Sequence, residues 1–448
     1  IAAGLNFIGQ RHVKRFDTTG NRQFSLAPQT LQVLEHLKGD VDVKAFFPGG
    51  DYSPLRDLLI QYRTANRRVH YEFIDPDRRP DVAKKYDISV YGAFRDPMTG
   101  TQLKFGTLVL SYGDRREKIE KRYEEVQEQD LTNAIIKLGR SETKKVYFVQ
   151  GHGEKDPSDT GQSGYSQARK ALEEQGYQVA PLNLATEGRV PADAGVLVIA
   201  GARTAPFDQE MQFVADFLQT GGGVLLMTDP VPAPSYALFL EPWGIQVDDN
   251  VVLDVSGAGR LMGAGPSIPL VVEYEDHPIT ERFNAMTFFP LTRSVRPAEE
   301  TPEGVTVAPL FQSNPNSWGE TDMNKPEATF DPEDLQGPLP LAVAATRELR
   351  AGTDDAAELT ARLVVVGTSN FAIDAYFANQ GNGNLFLNMV SWLAQDEDLI
   401  SIRPKQAEDR RILLSQSQLS AVRLVSMFLI PGAALVAGVL VYLNRRRK

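Results

Sequence analysis

Cysteine is absent from all 448 residues. That excludes disulfides, a thiol nucleophile and any Cys-ligated zinc site, and it fits an exported protein whose folding avoids thiol oxidation. Histidine is nearly as scarce. The five are His12, His36, His70, His152 and His277, and no two stand at a spacing that would pair them on a metal. The sequence has no G-x-x-x-x-G-K-[ST] loop and no G-x-S-x-G elbow, so neither Walker-type ATP hydrolysis nor that form of serine hydrolysis is open to it. Positive charge is also in deficit, 47 Lys and Arg against 58 Asp and Glu for a net charge of -11. A chain so balanced lacks the basic footprint that neutralising phosphates requires, which argues against nucleic acid as a partner.

What is present begins with apolar ends. Residues 424–443 ("LVSMFLIPGAALVAGVLVYL") run for 20 residues without a charge, the length of one bilayer crossing. The basic residues 444–448 that follow should stay cytoplasmic by the positive-inside rule, which puts everything before Leu424 on the outer side. Residues 1–10, from "IAAGLNFIG", read as the end of a second apolar span entering from upstream, with a cleaved signal peptide as the competing reading.

Between the ends, strand and helix patterns alternate. Residues 24–30 ("FSLAPQT") lead into Leu31, Val33, Leu34 and Leu37, a spacing that predicts a short amphipathic helix stopping at Gly39. "VDVKAFF" alternates as a strand, "SPLRDLLIQYRTA" predicts a helix with Leu55, Leu58, Leu59 and Tyr62 on one face, and "VHYEFIDPD" a second strand parallel to the first. Residues 24–120 thus form a first domain that resembles a thioredoxin-type fold. The C-x-x-C of that fold is replaced at the first strand–helix turn by "FPGGDYSP", so disulfide exchange is excluded.

Residues 121–143 carry a linking helix, with Leu131, Ile135 and Leu138 in register and Gly139 as its stop. Over residues 144–405, apolar strands "KVYFVQG", "YQVAPLNL", "GVLVIAG" and "GVLLMTD" alternate with helices "SQARKALEEQG" and "FDQEMQFVADFLQTGG". The pattern predicts an α/β domain whose parallel sheet is covered on both faces. Residues 231–358 read as an insertion, with "SNPNSWGETDMNKPEATFDPEDLQGP" as a long loop, before "ARLVVVGTSNF" and the helix "NLFLNMVSWLAQ" resume the sheet. Residues 406–423 lead on to the membrane. "GAGRLMGAG", at 257–265, lacks the Lys-Ser/Thr of a phosphate loop and reads as a loop or hairpin.

Open parallel sheets place ligand sites outside the carboxyl ends of their strands. There the sequence puts His152 and Glu154 in "VQGHGE", Asp229 in "LLMTDP", Ser369 and Asn370 in "VGTSNF", and Asp374 four residues later. A His and a carboxylate there could serve as a general base and its orienter. The alternative, that two glycines let the strand turn while His152 and Glu154 make loop hydrogen bonds, is the better reading: a strand-end turn at the rim of a binding crevice.

"LTNAIIKLG", "VYFVQGHGE", "GGGVLLMTDP", "RLVVVGTSNFA" and "GNGNLFLNMVSWLAQDEDLISIRPK" ahead of a terminal span resemble, in order and over nearly the whole chain, the GldG family of ABC-transporter auxiliary subunits, first associated with bacterial gliding motility. The resemblance implies a thioredoxin-like domain followed by a glutamine-amidotransferase-like (flavodoxin-like) domain without its catalytic cysteine, plus a C-terminal transmembrane helix. It implies a bacterial inner-membrane protein with its bulk on the periplasmic side, an ABC permease and a cytoplasmic ATPase as partners, and no cofactor. The expected role is non-enzymatic, the ectodomain binding a substrate or envelope protein. A hydrolase or ligand-modifying enzyme using His152, Glu154 and Asp229, and a structural tether of envelope machinery, are the two alternatives.

Overall fold

The structure, a computed structural model, describes residues 25–95, 102–123, 125–139, 144–231, 234–256, 265–281, 283–322, 328–349 and 359–396. The expected spans at 1–10 and 424–443, the 406–423 linker, the 444–448 tail and nearly all of the "GAGRLMGAG" segment lie outside the described residues. Among the described residues, no helix is long and apolar enough to cross a membrane.

Helix α1 (Pro28–Glu35) precedes strand β1 (Val41–Phe46), and ends one turn earlier than Gly39. Helix α2 (Ser53–Ala65) opens on Pro54, whose fixed φ suits a first turn, and buries Leu55, Leu59 and Tyr62, one stripe at helical spacing. Strand β2 (Val69–Ile74) returns parallel to β1, from Val41 opposite Val69 to Phe46 opposite Ile74. Helix α3 (Pro80–Lys85) leads to the antiparallel strands β3 (Thr107–Tyr112) and β4 (Arg115–Glu120), which complete a four-stranded sheet of order β2–β1–β3–β4.

Helix α4 (Glu128–Gly139) does more than connect. It buries Leu131, Ile135 and Leu138, and polar bonds fix it to the first sheet's layer. The Tyr62 hydroxyl donates to the Glu128 carbonyl at 2.8 Å and also meets Thr132 Oγ1, Thr30 and Thr132 bond at 3.2 Å, and Arg115 Nη1 donates to the Leu138 carbonyl at 3.0 Å.

The second sheet contains β5 (Lys145–Val149), β6 (Gln178–Leu182), β7 (Ala194–Ala200), β8 (Gly223–Met227), β9 (Val305–Gln312), β10 (Pro340–Leu349) and β11 (Leu359–Val366), in the order β9–β10–β11–β8–β7–β5–β6. The neighbours from β11 through β6 are parallel. Helices α5 (Ser166–Glu174) and α7 (Asn382–Leu393) cover one face with Ala168, Leu172, Leu385 and Met389, over Phe148 and Val198. Helix α6 (Asp208–Gln219) covers the other with Val214 and Leu218, over Leu197 and Leu226. Alternate residues of one strand therefore enter two different cores, which is why these strands read as unbroken apolar runs.

The mixed α/β architecture with a parallel sheet is as expected, but the region 231–358 is not purely an insertion. Strands β9 and β10 lie within it and extend the same sheet through antiparallel pairing, β10 on β11 and β9 on β10. In β10, residues 341–345 are all buried, a pattern without period that sequence periodicity cannot tell from other buried segments. Pro309 sits where the β9 register shifts, on the edge strand, the place in a sheet that tolerates a missing N–H. The stretch read as one long loop also carries two short strands, Ser317–Glu320 and Leu335–Gln336, which join Val251–Asp254 in a three-stranded sheet.

Tyr62 joins α2 to α4 through a hydroxyl buried with almost no exposure. Tyr62→Phe is expected to lower unfolding stability by about 1–2 kcal/mol, since it removes one buried bond to the Glu128 carbonyl while keeping the ring. Urea denaturation of wild type and variant checks this; an unchanged midpoint would mean that α4 is held by its apolar face alone.

Candidate functional site

From β5 the chain steps to β6 on one side, and β7 then forms on the other side of β5. The sheet thus reverses direction between β5 and β7, and the carboxyl ends of this pair are where an open sheet forms a crevice. Here the two loops close on each other. The His152 carbonyl accepts the amides of Arg203 at 2.8 Å and Thr204 at 3.2 Å, and the Lys155 amide donates to the Ala200 carbonyl at 2.9 Å. Gly153 has φ 83°, and a Cβ there would stand 3.1 Å from the Arg203 side chain, so the loops approach closely only because this residue is glycine.

Glu154 turns back over its own loop. Its Oε2 accepts the His152 amide at 2.7 Å, and its side chain is fully buried. Its Oε1 lies 3.4 Å from His152 Nδ1, without hydrogen-bond alignment. The other ring nitrogen, Nε2, is 3.0 Å from Glu210 Oε2. That same oxygen accepts the Phe207 amide at 2.8 Å, so Glu210 caps α6 and engages the imidazole at once. Sequence reading missed Glu210. Its signal was an acidic residue at the third position of the helix in "FDQEMQF", the site of a capping carboxylate.

Asp229 and Ser369 form a second group. Asp229 accepts the Ser369 amide at 2.6 Å on Oδ1 and the Ser369 hydroxyl at 2.8 Å on Oδ2. Gly201, at φ 64°, lies against this pair: a Cβ would fall 2.3 Å from Ser369 Oγ and 2.7 Å from Asp229 Oδ2. Tyr165 donates to the Ser369 carbonyl at 2.6 Å. Burial, and then the charge of Asp229, hold its hydroxyl well above the ordinary tyrosine range and keep it neutral.

Asn370 joins the two groups, its Oδ1 accepting Lys155 Nζ at 3.2 Å. Asp374 goes elsewhere. It accepts Ser166 Oγ at 2.5 Å and the Gln167 amide at 2.8 Å, which makes it the cap of α5.

Tyr236, from the loop after β8, was not foreseen. Its ring is buried, and its hydroxyl has no hydrogen-bond partner among the described residues. Burial raises its pKa first, and the charges of Glu154 and Asp229 add to the effect, so it lies within the field of both groups. Tyr236 also lines a cleft of about 580 Å3 together with Ile245 and Arg293. Burial lowers the Arg293 pKa, with Asp249 and Asp248 opposing. A second cleft, of about 680 Å3, opens at the other end of the sheet beside Lys144, Asp193 and Gly222, away from these groups.

Most of the acids here have hydrogen-bond donors, while Glu154 Oε1 and His152 Nδ1 are buried without a hydrogen-bond partner among the described residues. The Ser369 hydroxyl faces a carboxylate and the His152 ring faces two others, so the serine and the imidazole are each committed to separate partners. Glu320, Asp331 and Asp334 bring carboxylate oxygens within 4.8 Å of one another. Two of them take nearby donors, the Asp322 amide at 2.9 Å on Glu320 and the Thr321 and Asp331 amides at 3.1 Å and 2.8 Å on Asp334.

The family model described as ABC-type uncharacterized transport system matches residues 143–394, and one described as a domain of unknown function (DUF7088) matches residues 20–107. Among solved structures, the mmIFT52 N-terminal domain is similar at 15% identity and TM-score 0.41, covering 56% of this chain and 97% of that one. A thua-like protein from Bacteroides uniformis is similar at 16% identity and TM-score 0.34, covering 56% and 91%. A gmp synthase subunit a protein from Thermoplasma acidophilum is similar at 10% identity and TM-score 0.29, covering 57% and 96%. No curated protein sequence matches the chain.

Removing Glu154 would strand the His152 amide without its acceptor. Glu154→Ala is expected to cost about 1–3 kcal/mol of stability and Glu154→Gln, which keeps an acceptor oxygen, less. Equilibrium unfolding of the two variants checks the order; equal losses would mean that the charge, not the amide bond, holds the turn.

Proposed function

The chain belongs to the ABC-type uncharacterized transport system family, and from that premise we propose that it is a non-enzymatic, GldG-like auxiliary subunit. In this reading its folded domains lie on the outer side of the bacterial inner membrane, and the apolar segment at 424–443, with its basic tail, docks them on the permease that a cytoplasmic ATPase drives. The observation that carries it is the match over residues 143–394, which takes in the whole second sheet. The first sheet, a parallel β1/β2 pair extended by antiparallel strands, supports the thioredoxin-like assignment, and the parallel order of the second sheet supports the amidotransferase-like one.

The crevice at the carboxyl ends supports binding over turnover. Catalysis needs a base within reach of the proton it removes, whereas His152 is engaged by Glu210 and Asp229 by Ser369. The groups here hold loops in place, the His152 carbonyl and the Glu154 carboxylate above all.

Full-length protein, purified by affinity tag from detergent-solubilised membranes and examined by mass spectrometry, is expected to bring along an ABC ATPase and a multi-span permease. A His152→Ala variant should bring along the same proteins, because docking in this reading belongs to the membrane segment. Recovery of neither protein, under conditions that keep other transporters intact, would overturn the assignment.

A further inference from the structure

The two edges of the first sheet are built differently. Strand β4, "RREKIE", carries Arg115, Arg116 and Lys118, the kind of charge that keeps an edge from pairing. Strand β2, "VHYEFI", has no proline, no lysine and no bulge, and among the described residues nothing pairs with its outer side.

The ladder with β1 fixes which groups that outer side presents. The Val41 amide donates to the Arg68 carbonyl and the Phe47 amide to the Ile74 carbonyl. In a parallel register the backbone groups of His70, Glu72 and Ile74 then face β1, and those of Tyr71 and Phe73 face outward. Both side chains are only half-buried, and arginines of α2 stand over their rings, Arg56 at 5.3 Å from the Phe73 centroid and Arg63 at 6.0 Å from that of Tyr71.

The flank of α2 thus overhangs the open edge. A cleft of about 640 Å3 lies there, lined by Ile60, Arg63, Thr64, Arg67 and Tyr71. Arg56 is paired with Asp51 at 2.8 Å, whereas Arg63 and Arg67 have no carboxylate partner among the described residues. Two arginines without carboxylates beside an exposed isoleucine and an aromatic ring are notable in a chain of net charge -11.

We propose that β2 is a docking edge for an extended acidic segment of a partner protein, which adds to the sheet as a fifth strand. The incoming strand would exchange backbone bonds with Tyr71 and Phe73 about 4.8 Å from β2. Its alternate side chains would enter the cleft, the acidic ones meeting Arg63 and Arg67 and the apolar ones Ile60 and the Tyr71 ring. Backbone pairing supplies affinity and the cleft supplies the choice of sequence.

The test uses the full-length protein in detergent and a short fluorescent peptide alternating Glu and Val. Saturable binding, followed by anisotropy, is expected to weaken about tenfold when Arg63→Glu and Arg67→Glu are combined, both being exposed positions that leave the core intact. Binding should vanish when alternate peptide amides are N-methylated, and hydrogen exchange at the Tyr71 and Phe73 amides should slow on saturation. No binding, equal binding of a Lys/Val peptide, or equal binding of the N-methylated peptide would overturn the proposal. So would self-association of the protein through this edge that the peptide does not displace, since the occupant would then be a second copy of the chain.

Discussion

Residues 196–200, 223–227 and 363–366 are buried along their whole length, in neighbouring parallel strands. Strands of this kind have two apolar faces, and each must be removed from water. Helices α5 and α7 take one and α6 takes the other, which requires the chain to cross the sheet in βα units and to pass out over the carboxyl ends before each return. The gathering of His152, Glu154, Asp229, Ser369 and Asn370 at one edge follows from that demand. Loops that leave a parallel sheet at its carboxyl end have nowhere else to place their polar residues.

What those residues do there is set by a second constraint, that buried backbone groups must find partners. The His152 carbonyl takes two amides from the loop after β7, and Glu154 takes the His152 amide. Asp229 takes the Ser369 amide, and Glu210 takes that of Phe207. Each carboxylate is spent first on architecture. The same fold can serve many ends, because function resides in such sites rather than in the sheet that carries them.

The first sheet shows the converse. Its turn at Pro48–Gly50 has no cysteine, so disulfide exchange there is excluded. Its distinguishing features lie at the margin: an edge protected by charge on β4 and an unprotected one on β2, overhung by arginines.

Much of this was determined by the sequence alone. Hydrophobic periodicity marked the helix at Ser53–Ala65, the strands at Val41–Phe46 and Val69–Ile74 and the parallel order of β5, β7 and β8, because amphipathic and doubly buried segments carry their burial in local residue order. Position at a strand end likewise singled out His152, Glu154, Asp229, Ser369 and Asn370. Tertiary structure alone decided the rest. It placed β9 and β10 in the main sheet, gave Asp374 to the start of α5, brought Glu210 to His152 from 58 residues away, and set Tyr236 in the field of Glu154 and Asp229. Those outcomes depend on pairings between distant segments, and no local pattern of residues records which distant group will stand opposite once the chain has closed.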